Sequence, residues 1–83
     1  MKTVTYSKSV LKVLSRMQPK LATRIMDKVD QFAADPKSQA NNVKALVGSA
    51  HIRLRVGDWR VIMNDQGVVL LVLEIGPRGD IYK

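Results

Sequence analysis

The sequence predicts an α+β domain of order β-αα-βββ, in which an N-terminal helical hairpin packs on one face of a small, antiparallel-dominated sheet. Three observations predict it. Residues 10–33 carry apolar positions at helical spacing around a central proline, residues 51–63 alternate apolar with polar, and residues 68–75 are an almost unbroken apolar run between turns. At 83 residues the chain forms one domain, residues 1–83, because two would need more length.

Each element has its own local reason. Lys2 to Tyr6 (KTVTY) alternates and is rich in β-branched residues, which suits a short strand. Ser7 or Ser9 then caps a helix whose apolar stripe is Val10, Leu11, Val13, Leu14 and Met17. Pro19 ends that helix and suits the first turn of the next, where its missing N–H is not needed. The second stripe is Leu21, Ile25, Val29 and Phe32, and Asp35-Pro36 closes it. Lys37 to Asn42 reads as a polar turn, and Val43 to Val47 as a segment packing at a sheet edge.

The C-terminal half has a different period. His51 to Val56 (HIRLRV) and Trp59 to Met63 (WRVIM) alternate on either side of Gly57-Asp58, the signature of a β-hairpin. Asn64 to Gly67 makes a second turn, and Val68 to Ile75 a long strand placed centrally in the sheet, ended by Gly76-Pro77. If Gly57 and Asp58 are the two loop residues, Ile52, Leu54, Val56, Trp59, Val61 and Met63 share one face. His51, Arg53, Arg55 and Arg60 share the other. Trp59 is therefore expected in the core rather than as a stacking platform.

Composition narrows the chemistry. Fourteen Lys and Arg against seven Asp and Glu give a net charge of +7, with 46% hydrophobic residues. High charge with that much apolar content describes a folded domain that prefers polyanions, not a disordered one. With no cysteine there is no disulfide, no thiolate nucleophile and no Cys-containing zinc site. Asp58, Asp65, Glu74 and Asp80 lack the spacing of a metal site. Neither a signal-peptide core nor an apolar run of membrane-spanning length is present, which leads to the expectation of a soluble, cytoplasmic protein.

The arginines focus that charge. The hairpin register puts Arg55 directly against Arg60, an unfavourable pairing unless an anion neutralises it. Arg53 shares their face, and Arg78 follows the next strand closely enough to join them. Arginine at such positions favours planar, bidentate recognition of phosphate. Lys8, Lys12, Arg16, Lys20, Arg24 and Lys28 instead recur along the helices as a solvated charged series.

The stretch RLRVGDWRVIM followed by LLVLEIGPRGDIY resembles the C-terminal half of the RelE/ParE superfamily of bacterial toxins, specifically its RelE-like branch. The shared pattern is a basic strand, a Gly-containing turn, an aromatic-Arg-hydrophobic strand, an apolar strand, then Gly-x-Arg and a Tyr near the end. The resemblance implies a RelE-like toxin of a type II toxin–antitoxin pair. Its activity would be that of a ribosome-dependent endoribonuclease, an mRNA interferase that cuts messenger in the A site. It implies a cofactor-free, metal-independent reaction in which the ribose 2′-hydroxyl attacks the adjacent phosphate. On the matching positions, Arg60 and Arg78 would clamp the phosphate and Tyr82 would stack on a base or move a proton. Arg53 and His51 fall where relatives often carry lysines, and Pro77 where they usually carry His or Lys. Arg55 would bind backbone, and Lys12, Arg16, Lys20 and Lys28 would touch ribosomal RNA phosphates. The implied partners are an inhibitory antitoxin, together with which the toxin would act as co-repressor on operator DNA, and the ribosome with its mRNA, with no membrane. The alternative within the superfamily is a non-enzymatic ParE-like toxin that inhibits DNA gyrase, since a shared fold does not fix the activity. A third reading is nucleic-acid binding without catalysis.

Overall fold

The computed structural model describes residues 2–45 and 51–77. The first strand, β1 (Thr3–Tyr6), leads into helix α1 (Lys8–Arg16) through Ser7. The Ser7 hydroxyl accepts a hydrogen bond from the Val10 N–H at 3.2 Å and lies 3.1 Å from the Leu73 carbonyl, to which it donates. The cap thus satisfies an orphan helix donor and ties the helix start to the sheet. Gln18, held in an extended conformation before Pro19, stops the first helix from continuing. Helix α2 (Pro19–Ala34) begins on that proline and ends at Asp35, which is extended because Pro36 follows it.

Lys37 to Asn42, read from sequence as a polar turn, instead form with Pro36 a 3-10 helical segment (Pro36–Asn42) kinked at Gln39. The Asp35 carboxylate accepts from the Lys37 N–H at 3.2 Å, while buried Gln39 donates to the Gln31 side chain at 2.9 Å and so anchors the segment to α2. Four further strands follow: β2 (Val43–Ala45), β3 (His51–Val56), β4 (Trp59–Asp65) and β5 (Val69–Pro77). They and β1 make one five-stranded sheet of order β1-β5-β4-β3-β2. All neighbours are antiparallel except β1 and β5, which are parallel. Two helices on a mostly antiparallel sheet is the α+β class predicted, with β2 added at the edge where Val43 to Val47 was expected to pack.

The core lies between the helices and one sheet face. Val10, Leu14, Ile25, Val29, Phe32 and Ala33 from the helices meet Leu54, Val56, Val61, Met63, Leu70, Val72 and Ile75 from the strands. Leu11, counted in the apolar stripe of the first helix, is half exposed instead: the stripe is wider than the sheet face it covers. Strand β5 starts one residue later than predicted and runs on through Gly76-Pro77. Pro77 is tolerated there because β1 pairs only with Val69 to Val72, so the end of β5 has β4 alone beside it. No helix among the described residues is long and apolar enough to cross a membrane.

Strand β5 also contains a bulge. Ile62 pairs with Glu74 and Met63 with Val72, leaving Leu73 as the extra residue. Its effect is a change of phase. Leu70 and Val72 face the core at period two, and strict alternation would bury Glu74. The extra residue sends Glu74 to the outer face and returns Ile75 to the core, where it is 8% exposed.

At the other end of the sheet, Lys2 joins the β4–β5 turn. Its ammonium lies 3.0 Å from the Asp65 carboxylate and donates to the Gly67 carbonyl at 2.8 Å, while the Gly67 N–H donates to Asp65 at 2.9 Å. The Gly67 N–H first, then Lys2, hold the Asp65 carboxyl below its usual pKa. Tyr6 is the opposite case. Its buried hydroxyl has no hydrogen-bond partner, and burial, with Asp30 and Asp27 nearby, pushes its pKa up to about 12.

Candidate nucleic-acid interface

The β3–β4 hairpin has the register the sequence predicts. Val56 pairs with Trp59, Arg55 with Arg60 and Arg53 with Ile62, so Gly57 and Asp58 are the two loop residues. Gly57 has φ +60 and no described non-glycine residue, Asp58 included, has positive φ, which is the pattern of a type II′ turn with Gly at its first central position. This turn sets the phase of both strands. Leu54, Val56, Val61 and Met63 go into the core, so the guanidinium-bearing positions go to the face that the helices leave uncovered.

On that face Arg53, Arg55 and Arg60 line a polar concavity of about 210 Å³. Arg55 is exposed, while Arg53 and Arg60 are half-buried. The Arg60 guanidinium donates through Nη1 to the Trp59 carbonyl at 3.3 Å, which holds its head near the sheet. Arg53 and Arg55 stand two residues apart, about 7 Å along one strand, and Arg60 is one strand spacing from Arg55, about 5 Å. A phosphate between them would meet several donors at once. Charge-assisted, bidentate bonds of that kind are the strong ones, and they would offset the repulsion of Arg55 and Arg60.

Of the four other lining residues, Val43 is apolar and three are polar residues that sequence reasoning did not single out. Asn41 and Asn42 come from the end of the 3-10 helix, and Lys44 from β2. Lys44 is the direct cross-strand partner of Arg53. The Asn42 amide lies 3.5 Å from the Gln39 side chain, at the limit of a hydrogen bond. The signal for all three is the β2–β3 pairing, which is nonlocal and leaves no local pattern in the chain.

The remaining candidates are distributed differently. His51 is on the arginine face but pairs with Asn64, at the far end of β3. It borders a second depression with Ile62, Leu73 and Glu74, the residue that the bulge turned outward. Arg78 and Tyr82 lie outside the described residues. Lys12, Arg16 and Lys20 are exposed and Lys28 half-buried on helices that cover the opposite face of the sheet, so none of them lines the concavity. Trp59 packs against the core as expected, and its free edge joins Val13, Met17 and Leu21 along an apolar groove.

No protein-family model matches the chain, and no curated protein sequence does. Solved structures do. The chain is similar to one in the archaeal RelE-RelB complex from Pyrococcus horikoshii, at 28% identity and TM-score 0.78, over 95% of this chain and 97% of that one. A chain of the RelB-RelE antitoxin-toxin complex from Methanococcus jannaschii matches at 18% identity and TM-score 0.72, over 94% of each. The intact E. coli RelBE toxin-antitoxin complex matches at 17% identity and TM-score 0.74, over 93% of this chain and 96% of that one. The order of elements, the two helices on a five-stranded sheet and these near-complete overlays agree: the chain has the RelE-like toxin fold.

Proposed function

We propose that this protein is the toxin of a type II toxin–antitoxin pair and that it cleaves messenger RNA on the ribosome. The observation that carries the proposal is the convergence of Arg53, Arg55 and Arg60 on one polar concavity of the uncovered sheet face. Cleavage by a ribose 2′-hydroxyl needs no resident cofactor. It needs an electropositive cradle that stabilises the charge developing on the phosphate oxygens, with groups that move protons at the two flanking oxygens. Arg60 is the phosphate clamp, held by its own strand, with Arg53 and Arg55 beside it. Arg78, Tyr82 and His51 are further candidates from the sequence. The helical Lys12, Arg16, Lys20 and Lys28 supply a diffuse, salt-sensitive attraction to ribosomal RNA from the other side of the molecule. An antitoxin partner is supported by the likeness to RelE chains solved within RelB complexes. An acidic or amphipathic antitoxin segment complements so basic a surface.

Translation of a defined messenger in a purified system, followed by mapping of new 5′ ends, tests the proposal. The wild-type protein produces ribosome-dependent cuts, and Arg60→Ala reduces their rate by about 10²-fold or more, the usual loss for one preorganised charge-stabilising donor. Intact messenger together with accumulated gyrase–DNA cleavage complexes would overturn it, as would full activity in the Arg60→Ala protein.

A further inference from the structure

The geometry points to Lys44 as the proton donor to the leaving 5′ oxygen, a role that rests on the RNA-cleaving function proposed above. The described residues lining the concavity are arginines, asparagines, Val43 and Lys44. A guanidinium does not release its proton and an amide has none to give, so Lys44 alone among them can act as an acid and be recharged. Its placement is fixed by the backbone. Val43 pairs with Leu54 and packs against the core, so the next residue, paired with Arg53, must point to the arginine face. Opposite residues of an antiparallel pair have Cβ atoms about 5 Å apart, which keeps the Lys44 stem beside Arg53 while its ammonium reaches over the cavity. His51 and Glu74, which also face this side among the described residues, border the separate depression with Ile62 and Leu73 and do not line the concavity.

The step balances without a further reagent. The O2′–P bond forms as the 2′-hydroxyl loses its proton to water, the P–O5′ bond breaks, and the Lys44 ammonium gives a proton to the departing 5′ oxygen. The neutral amine then regains a proton from solvent. The products are a 2′,3′-cyclic phosphate and a 5′-hydroxyl, with Arg53, Arg55 and Arg60 holding the nonbridging oxygens throughout.

Lys44→Arg keeps the charge at this exposed edge position and removes the ability to donate. The test is single-turnover cleavage of ribosome-bound messenger, with a control substrate whose scissile 5′ oxygen is replaced by sulfur, since a thiolate leaves without being protonated. Lys44→Arg is expected to bind RNA like the wild type and to cleave the oxygen substrate about 10²-fold more slowly, while cleaving the sulfur substrate close to the wild-type rate. Lys44→Gln gives the same rescue by sulfur, so the result does not depend on how one variant folds. Wild-type cleavage of the oxygen substrate by Lys44→Arg, or a loss that sulfur does not rescue, would overturn the role of Lys44 alone. A wild-type protein that leaves messenger intact would overturn the function and the role of Lys44 together.

Discussion

Replacing Arg55 with glutamine should make the protein more stable and a poorer ligand for RNA. Arg55 and Arg60 are Cα partners across the hairpin, and like charges placed directly opposite cost up to about 1 kcal/mol relative to a neutral pair. Arg55 is exposed, so solvent screening brings the cost toward the lower end, about 0.2 to 0.5 kcal/mol. For a domain of this size each kcal/mol moves Tm by about 4 to 8 °C, so Arg55→Gln should raise Tm by about 1 to 4 °C at low salt. The gain should shrink in concentrated salt, where the Debye length falls to about 3 Å. If Arg55 also holds an RNA phosphate, its loss should reduce the salt dependence of single-stranded RNA binding by about 0.7 in log–log slope. Thermal unfolding followed by circular dichroism at two salt concentrations, with RNA titrations over a salt series, measures both effects. A fall in Tm, or a gain indifferent to salt together with an unchanged binding slope, would refute the argument that this pair exists for an anion.

Other expectations concern the frame around the site. Gly57→Ala should cost about 1 to 2 kcal/mol in denaturant unfolding, because φ +60 is strained for any residue with a Cβ; an added Cβ would sit 3.8 Å from the Arg24 guanidinium, so strain rather than a clash sets the cost. Tyr6→Phe should leave stability unchanged or raise it at pH 7, since it removes a buried hydroxyl with no partner. The Tyr6 pKa is raised in the folded state, so its stability contribution is present below pH 10 and is lost as pH rises towards 12. Unfolding measured across that range should show a wild-type loss that the Phe variant lacks. For Asp65 the sign reverses. Its lowered pKa adds stability above the usual carboxylate range that disappears as pH falls below it, and Asp65→Asn should flatten that acid limb by no more than about 1 kcal/mol, as befits a surface pair.

Much of this structure was legible because its signals are local. Ser7, Pro19 and Asp35-Pro36 mark helix ends through hydrogen bonds and dihedral limits that involve only neighbouring residues. Gly57-Asp58 fixed the hairpin register, and with it the face that carries Arg53, Arg55 and Arg60. What escaped depends on distant partners. The parallel β1–β5 pairing joins Thr3 to Val69, and nothing near either residue announces the other. The bulge at Leu73 lies inside an apolar run, where composition carries no phase, so the outward turn of Glu74 could not be read. Lys44 shows the same limit at the site. In sequence it is one lysine in a short apolar segment, and only the pairing of β2 with β3 sets it against Arg53. The excess positive charge therefore resolves into a focused set on one sheet face and a diffuse set on the helices behind it.

The location of RNA on the protein tests that division most directly. Amide chemical shifts of the labelled protein, followed as a short single-stranded RNA with a 2′-deoxy substitution at the scissile position is added, report where the phosphate is held without cleavage. Perturbations centred on Asn42, Lys44, Arg53, Arg55 and Arg60, and abolished by Arg60→Ala in a folded protein, are the predicted result. Perturbations confined to Lys12, Arg16, Lys20 and Lys28, with the sheet face silent, would contradict it.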